Sequence, residues 1–247
     1  MKERSSMADR MDVMARSYDR YASLVVPFYE EMQALLLDQL ANSHIVPRFV
    51  VDLGAGSGIL LQRVCSAFPH VNVVWVDRSP AMRAVAGERL RPYQARVTYI
   101  EADLLEGWEK RLPEPPTHIF SMSAIHHLVD ADKARLYRRC FEALAPRGMF
   151  WNADEVRAAD PSEYQRTLEE WDIHMTRLIH QGRVDEVITS TWEAWRERNL
   201  RQTMPKRSGD DCHATVEAQL LMLLEAGYPK PVQLWSKGLW SVFGSLK

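Results

Sequence analysis

From Met11 onward apolar side chains fall at helical spacing: Met11, Met14, Tyr18 and Tyr21, then Val25, Phe28, Met32 and Leu35. Pro27 splits the run, so the spacing predicts two helices with Pro27 in the first turn of the second. Past Asn42, Ser43 and Pro47 the period changes. Short, mostly apolar stretches at 49–53, 73–76, 97–100, 118–122 and 149–153 predict buried strands, with helical stretches at 59–68, 80–90 and 130–144 lying among them. Ser79-Pro80 opens one of these helices, and Pro146-Arg-Gly148 makes the turn out of another. Strands alternating with helices imply a parallel sheet covered on both faces.

Residues 157–212 interrupt that rhythm. Tyr164, Leu168, Trp171, Met175 and Leu178 step by three and four, as do Val184, Val187, Ile188, Thr191, Trp192 and Trp195; this predicts two amphipathic helices outside the sheet. The stretch 205–211 reads as a loop. Thr215 then caps a helix reaching 226, with Gly227 placed for a left-handed C-cap. Two strands at 232–236 and 239–244 are separated by Lys237-Gly238, which is hairpin spacing. The expectation is an α/β fold, a doubly wound and mostly parallel seven-stranded sheet ending in an antiparallel hairpin. Its parts are an N-terminal helical lid (1–45), a core (46–156), an inserted helical lid (157–212), and a final helix and hairpin completing the core (213–247).

Composition narrows the function classes. An apolar share of 46% and a charged share of 26% are those of an ordinary globular protein. A net charge of -2 offers no general pull toward nucleic acid, and no nucleic-acid partner is expected. Cys65, Cys140 and Cys212 are widely separated, which suits neither a disulfide framework nor a zinc site, and no metal is expected. The N-terminus, MKERSSMADRMD, lacks an apolar core, and no apolar run approaches the ~20 residues of a spanning helix. The chain is therefore read as cytoplasmic, without a membrane partner; self-association into a homodimer is left open.

The candidate chemistry begins at Asp52-Leu-Gly54-Ala-Gly56-Ser-Gly58. A strand that ends in glycines and feeds a helix brings backbone N–H groups close to a ligand. The spacing is G-x-G-x-G rather than the dinucleotide G-x-G-x-x-G. Asp52 would repel a pyrophosphate but attract an ammonium group. Asp77, ending the second strand, suits the two hydroxyls of a ribose, and Asp103, after the third, suits an exocyclic adenine amine, with the Leu104 N–H beside it. An amino-acid end, a ribose and an adenine together describe S-adenosyl-L-methionine.

Val50-Val-Asp-Leu-Gly-Ala-Gly-Ser-Gly58, Val73-Val-Trp-Val-Asp77-Arg-Ser-Pro-Ala-Met82 and Ile100-Glu-Ala-Asp103 resemble the first three cofactor motifs of class I S-adenosylmethionine-dependent methyltransferases. Ser121-Met-Ser-Ala-Ile-His-His-Leu128 resembles the fourth in its small-molecule form, and the tail from Thr215 to Gly244 is similar to the family's last helix and hairpin. The resemblance covers residues 45–155 and 213–247 and implies a Rossmann-like core. It implies that Gly54, Ala55, Gly56 and Gly58 shape the loop around the methionine moiety, with Asp52 near its amine. Asp77 would hold the ribose, Arg78 and Met82 would flank the adenine, Asp103 and Leu104 would read its edge, and Ser121, Met122 and Ser123 would line the sulfonium side. Arg78 departs from the apolar residue that often follows the ribose acid.

His126 and His127 follow the fourth strand, where a transferred methyl should emerge, and either is a candidate general base. Tyr18 is a third candidate. Tyr21, Glu155, Trp171 and His174 are candidates to meet the acceptor, although aromatic residues at helical spacing more often form core. The leading expectation is in-line methyl transfer to an O, N or C nucleophile of a small molecule. Two alternatives stay open: cyclisation of the cofactor on itself with release of methylthioadenosine, and a non-catalytic cofactor-binding regulator.

Overall fold

The computed structural model describes residues 7–201 and 205–247, with side chains from Met14 onward; the Met11 side chain therefore lies outside the described residues. In chain order the elements are α1 (Met7–Val25), α2 (Tyr29–Ala41), β1 (Phe49–Leu53), α3 (Ile59–Ala67), β2 (Asn72–Asp77), α4 (Pro80–Leu90), β3 (Val97–Glu101), β4 (His118–Met122), α5 (Asp130–Ala143) and β5 (Met149–Glu155). There follow α6 (Pro161–His180), α7 (Glu186–Arg196), α8 (Val216–Ala226), β6 (Val232–Lys237) and β7 (Trp240–Leu246). Among the described residues no helix is long and apolar enough to cross a membrane.

The seven strands form one sheet in the order β3-β2-β1-β4-β5-β7-β6. β1 to β5 are parallel, and β7 runs antiparallel between β5 and β6. The order reverses between β1 and β4, and the carboxyl ends on either side of such a switch leave a crevice. Alternation along each strand feeds two cores. Val50, Val73, Trp75, Phe120, Trp151 and Ala153 face the first, with α2, α3, α4, α6 and α7. Phe49, Val51, Leu53, Val74, Val76, Ile119 and Phe150 face the second, with α5 and α8. Burial on both faces explains why the central strands β1, β2 and β4 read as largely apolar runs.

Two boundaries differ from expectation. Pro27 stays in the turn before α2, because Phe28 takes a left-handed conformation (φ 62°) as the residue that starts the helix. The final hairpin turns on Gly238-Leu239, one residue later than the spacing suggests. The caps are as read. Ser79 Oγ accepts from Met82 N, Thr215 Oγ1 accepts from Ala218 N, and Gly227 sits at φ 114°.

The inserted helices are tied down by indoles. Trp171 packs edge-on against Trp192, Trp195 and Trp240, at centroid distances of 4.9, 5.0 and 5.1 Å. Its Nε1 donates to the Val25 carbonyl (2.8 Å), and His174 Nε2 meets the Leu24 carbonyl (2.7 Å), so α6 is fastened to the end of α1.

Candidate active site

The glycine loop leaves β1 and is fastened to the neighbouring strand. Gly54 N and Ala55 N both donate to the Val76 carbonyl (2.8 and 3.0 Å), Gly56 N donates to Asp77 Oδ2 (2.9 Å), and the Trp75 indole donates to the Gly56 carbonyl (2.7 Å). Gly54 and Gly56 have φ of 70° and 50°, a region that glycine enters at little cost. A Cβ on Gly54 would lie 2.3 Å from the Ala124 Cβ, whereas one on Gly56 would meet nothing nearer than 3.9 Å. The space beside Gly56 is a cavity.

That cavity lies over the carboxyl ends of β1, β2 and β4. Asp52, Gly54, Ala55 and Gly56 form one wall, with Asp77, Arg78 and Met82 next to them and Asp103 and Leu104 at the far end. Met122, Ser123 and His127 form the wall beyond β4. Tyr18 of α1, Tyr29 and Gln33 of α2, and Ser208 and Gly209 of the loop before α8 line it as well.

Several polar groups line it. Asp52 is 2% exposed, and both its burial and the charge of Asp77 raise its carboxyl well above the usual range. A cationic ligand group would reverse that. Ser123, whose φ is 50°, carries a buried Oγ without a partner. Asp77 accepts from Ser79 N through Oδ1 (2.9 Å) and from Gly56 N through Oδ2, yet its burial still leaves its carboxyl raised. At the far end Arg78 pairs with Asp103 Oδ2 at 3.1 Å, and Asp103 Oδ1 accepts from Leu105 N at 2.9 Å.

The opposite end is a buried cluster of imidazoles and carboxylates. Ile125–His127 form a single helical turn after β4, and its backbone is stitched to the loop before α8: Cys212 N donates to the His126 carbonyl and Gly209 N to that of His127, both at 2.7 Å. His126 Nδ1 donates to Asp154 Oδ1 (2.6 Å), and His126 Nε2 stands 3.7 Å from Glu155 Oε2. Glu155 Oε2 in turn takes a hydrogen bond from His213 Nε2 (3.1 Å), whose Nδ1 meets the Tyr164 hydroxyl (2.7 Å). His127 Nδ1 lies 3.3 Å from Asp211 Oδ1.

The two adjacent histidines are pushed apart in acidity. Burial opposes a charge on His126, but the carboxylates of Glu155 and Asp154 outweigh it and hold the imidazole at about 9. His127 is lowered by burial and by its charged neighbour, so it is the neutral one. Tyr18 keeps its proton, since burial, Tyr29 and the nearby acids raise its phenol.

Residues 50–148 match the family described as a methyltransferase domain. The chain is 34% identical over 133 residues to trans-aconitate 2-methyltransferase of Acidovorax ebreus, covering 53% of this chain and 48% of that protein. These likenesses support a class I S-adenosylmethionine-dependent methyltransferase with its core at residues 50–148. The chain is also 26% identical over 183 residues to carboxy-S-adenosyl-L-methionine synthase of a Nitratiruptor species, covering 73% of each chain. The alignment to the trans-aconitate enzyme thus spans about half of that relative's length. Among solved structures, the chain superposes on human N-acetylserotonin methyltransferase in complex with S-adenosylmethionine with a TM-score of 0.61 at 14% identity, covering 98% of this chain and 56% of that one. The DhpI–S-adenosylhomocysteine complex gives 0.59 at 15% identity, covering 97% and 96%. At such identities these two likenesses speak for the fold.

The structure gathers most of the expected cofactor residues around one cavity, but Gly58 and Ser121 are elsewhere. Gly58 starts α3 in a left-handed conformation and packs on Leu90 and Ala86, while Ser121 Oγ donates to the Leu53 carbonyl inside the sheet. Of the expected catalytic residues, Tyr18 and His127 line the cavity and His126 stands behind it. The four expected acceptor contacts do not line it. Tyr21 packs at the margin of the first core, Glu155 serves His213, and Trp171 and His174 hold α6 to α1. Tyr29, Gln33, Ser208 and Gly209 line the cavity without a sequence signal, and Asp154, Asp211 and His213 join the cluster only through contacts far apart in the chain.

Proposed function

We propose that the protein transfers a methyl group from S-adenosyl-L-methionine to a small acceptor bound at the His127 end of the cavity. One observation carries the reading. A single cavity is lined by Asp52, Asp77 and Asp103, which suit an amine, a ribose and an adenine, and also by Tyr18, Gln33, Met122 and His127. When bound, the cofactor supplies a methyl group on a positively charged sulfur. Asp52 would pair with its ammonium, Gly56 leaves room for close approach, Asp77 would accept from the ribose, and Asp103, released from Arg78, would accept from the adenine amine. Ser123 Oγ would find a partner on the methionine side. Tyr18, protonated, can donate to the acceptor, and the neutral imidazole of His127 can take its proton. Most of the acceleration would come from orientation and exclusion of water by α1, α2 and the 205–212 loop.

Incubation with labelled cofactor and a panel of phenols, amines and carbon acids tests this. Label transfer with matching adenosylhomocysteine supports the proposal. Release of methylthioadenosine without any acceptor, or cofactor binding with no turnover across the panel, would overturn it.

A further inference from the structure

We propose that His126, His127 and Asp211 form a binding site for one divalent transition-metal ion in the wall of the cavity. Each of the three offers one ligand atom, and those atoms lie within 4.8 Å of one another. Two imidazoles and a carboxylate suit zinc, cobalt(II) or iron(II). With metal–ligand bonds of about 2.0–2.1 Å, donors in a tetrahedral shell stand roughly 3.3 Å apart. The separation of His127 Nδ1 and Asp211 Oδ1 is 3.3 Å already.

The surroundings orient these donors. Asp154 takes the Nδ1 proton of His126 and is itself held by His126 N (2.8 Å) and Asn152 Nδ2 (3.2 Å). This carboxylate–imidazole pairing fixes the ring and points Nε2 toward an ion. Asp211 Oδ2 is held by Asn199 Nδ2 at 2.6 Å, with Arg198 at 3.9 Å, which leaves Oδ1 turned to His127. Asp154, Glu155 and Asp211 together bury three carboxylates, so a dication would take the place of the positive charge that His126 otherwise carries among them. Because His127 lines the cavity, an acceptor hydroxyl reaching the ion would lose its proton to water more readily, and with the ion bound this activation would replace proton uptake by the His127 imidazole.

Binding of the ion is measured without cofactor or acceptor, so this proposal and the methyl-transfer reading fail separately. The full chain, stripped with a chelator, is titrated with Zn2+ by calorimetry and with Co2+ by visible absorption. One equivalent should bind, and X-ray absorption at the zinc edge should show two imidazoles with oxygen donors. His127→Ala and Asp211→Asn should weaken binding by at least about tenfold, whereas His174→Ala, on α6, should leave it unchanged. No saturable uptake, or a shell without two imidazoles, overturns the proposal. The zinc-edge measurement on the unaltered chain decides the matter even if the variants fold poorly.

Discussion

Gly54 and Gly56 share a left-handed backbone, yet alanine at the two positions should do different damage. At Gly54 the new Cβ meets Ala124 Cβ at 2.3 Å, so backbone strain of about 1–2 kcal/mol is joined by overpacking of about 1–3 kcal/mol. Gly54→Ala should therefore lower the urea midpoint clearly. Gly56→Ala should cost only the strain, about 1–2 kcal/mol, while its Cβ projects into the cavity and weakens adenosylhomocysteine binding by about tenfold or more. Calorimetry and urea melts on both variants separate the two effects. Asp52 gives a third case. Its burial holds an uncompensated carboxyl, so Asp52→Asn should raise the melting temperature of the ligand-free protein while reducing its affinity for adenosylhomocysteine. A lower melting temperature for the ligand-free variant would contradict this. At this scale the sequence carried the loop and its acids well, because glycine spacing and strand-end carboxylates are local signals. Glu155 and Trp171 do not line the cavity, because their environments are made by His213 and Val25, which lie far off in the chain.

Between elements, single polar contacts fix the helices to the sheet. In β4, His118 is fully buried, meeting Ser43 Oγ and Thr117 Oγ1 at 3.0 Å, and burial lowers its imidazole to about 4. The unfolded chain binds this proton near pH ~6.5, so between that pH and about 4 the unfolded state holds more protons. Stability should fall as pH drops through this window, by up to roughly 3 kcal/mol from this residue alone. His118→Gln should remove that part of the slope, read as the difference between urea unfolding at neutral and acid pH. Trp171→Phe keeps the aromatic contacts but loses the bond to the Val25 carbonyl, so it should cost about 1 kcal/mol and loosen α6 from α1 in hydrogen exchange. Every strand and every long helix was legible, since apolar period and capping residues act locally. The position of Pro27 was not, because the start of α2 is set by the strained conformation of Phe28, which its packing against Trp235 and Trp240 accompanies.

In the whole molecule the cavity is assembled from both ends of the chain, with Tyr18 and Gln33 on one side and Ser208 and Gly209 on another. No local pattern announces such a meeting, which is why the strand-end lining of the cavity from Asp52 to Leu104 was legible in the sequence and the lining by Gln33, Ser208 and Gly209 was not. The same layout has a consequence for synthesis. β7 is wedged between β5 and β6, pairing Glu155 with Trp240 and Met149 with Leu246. While the ribosome makes the intervening chain, β5 is an unpaired edge, and at about 5–20 residues per second that wait lasts of the order of 4–17 s. An unpaired apolar edge is a template for the wrong neighbour. Newly made chains should thus be most prone to aggregate, and most in need of chaperones, in the seconds before their last strand emerges.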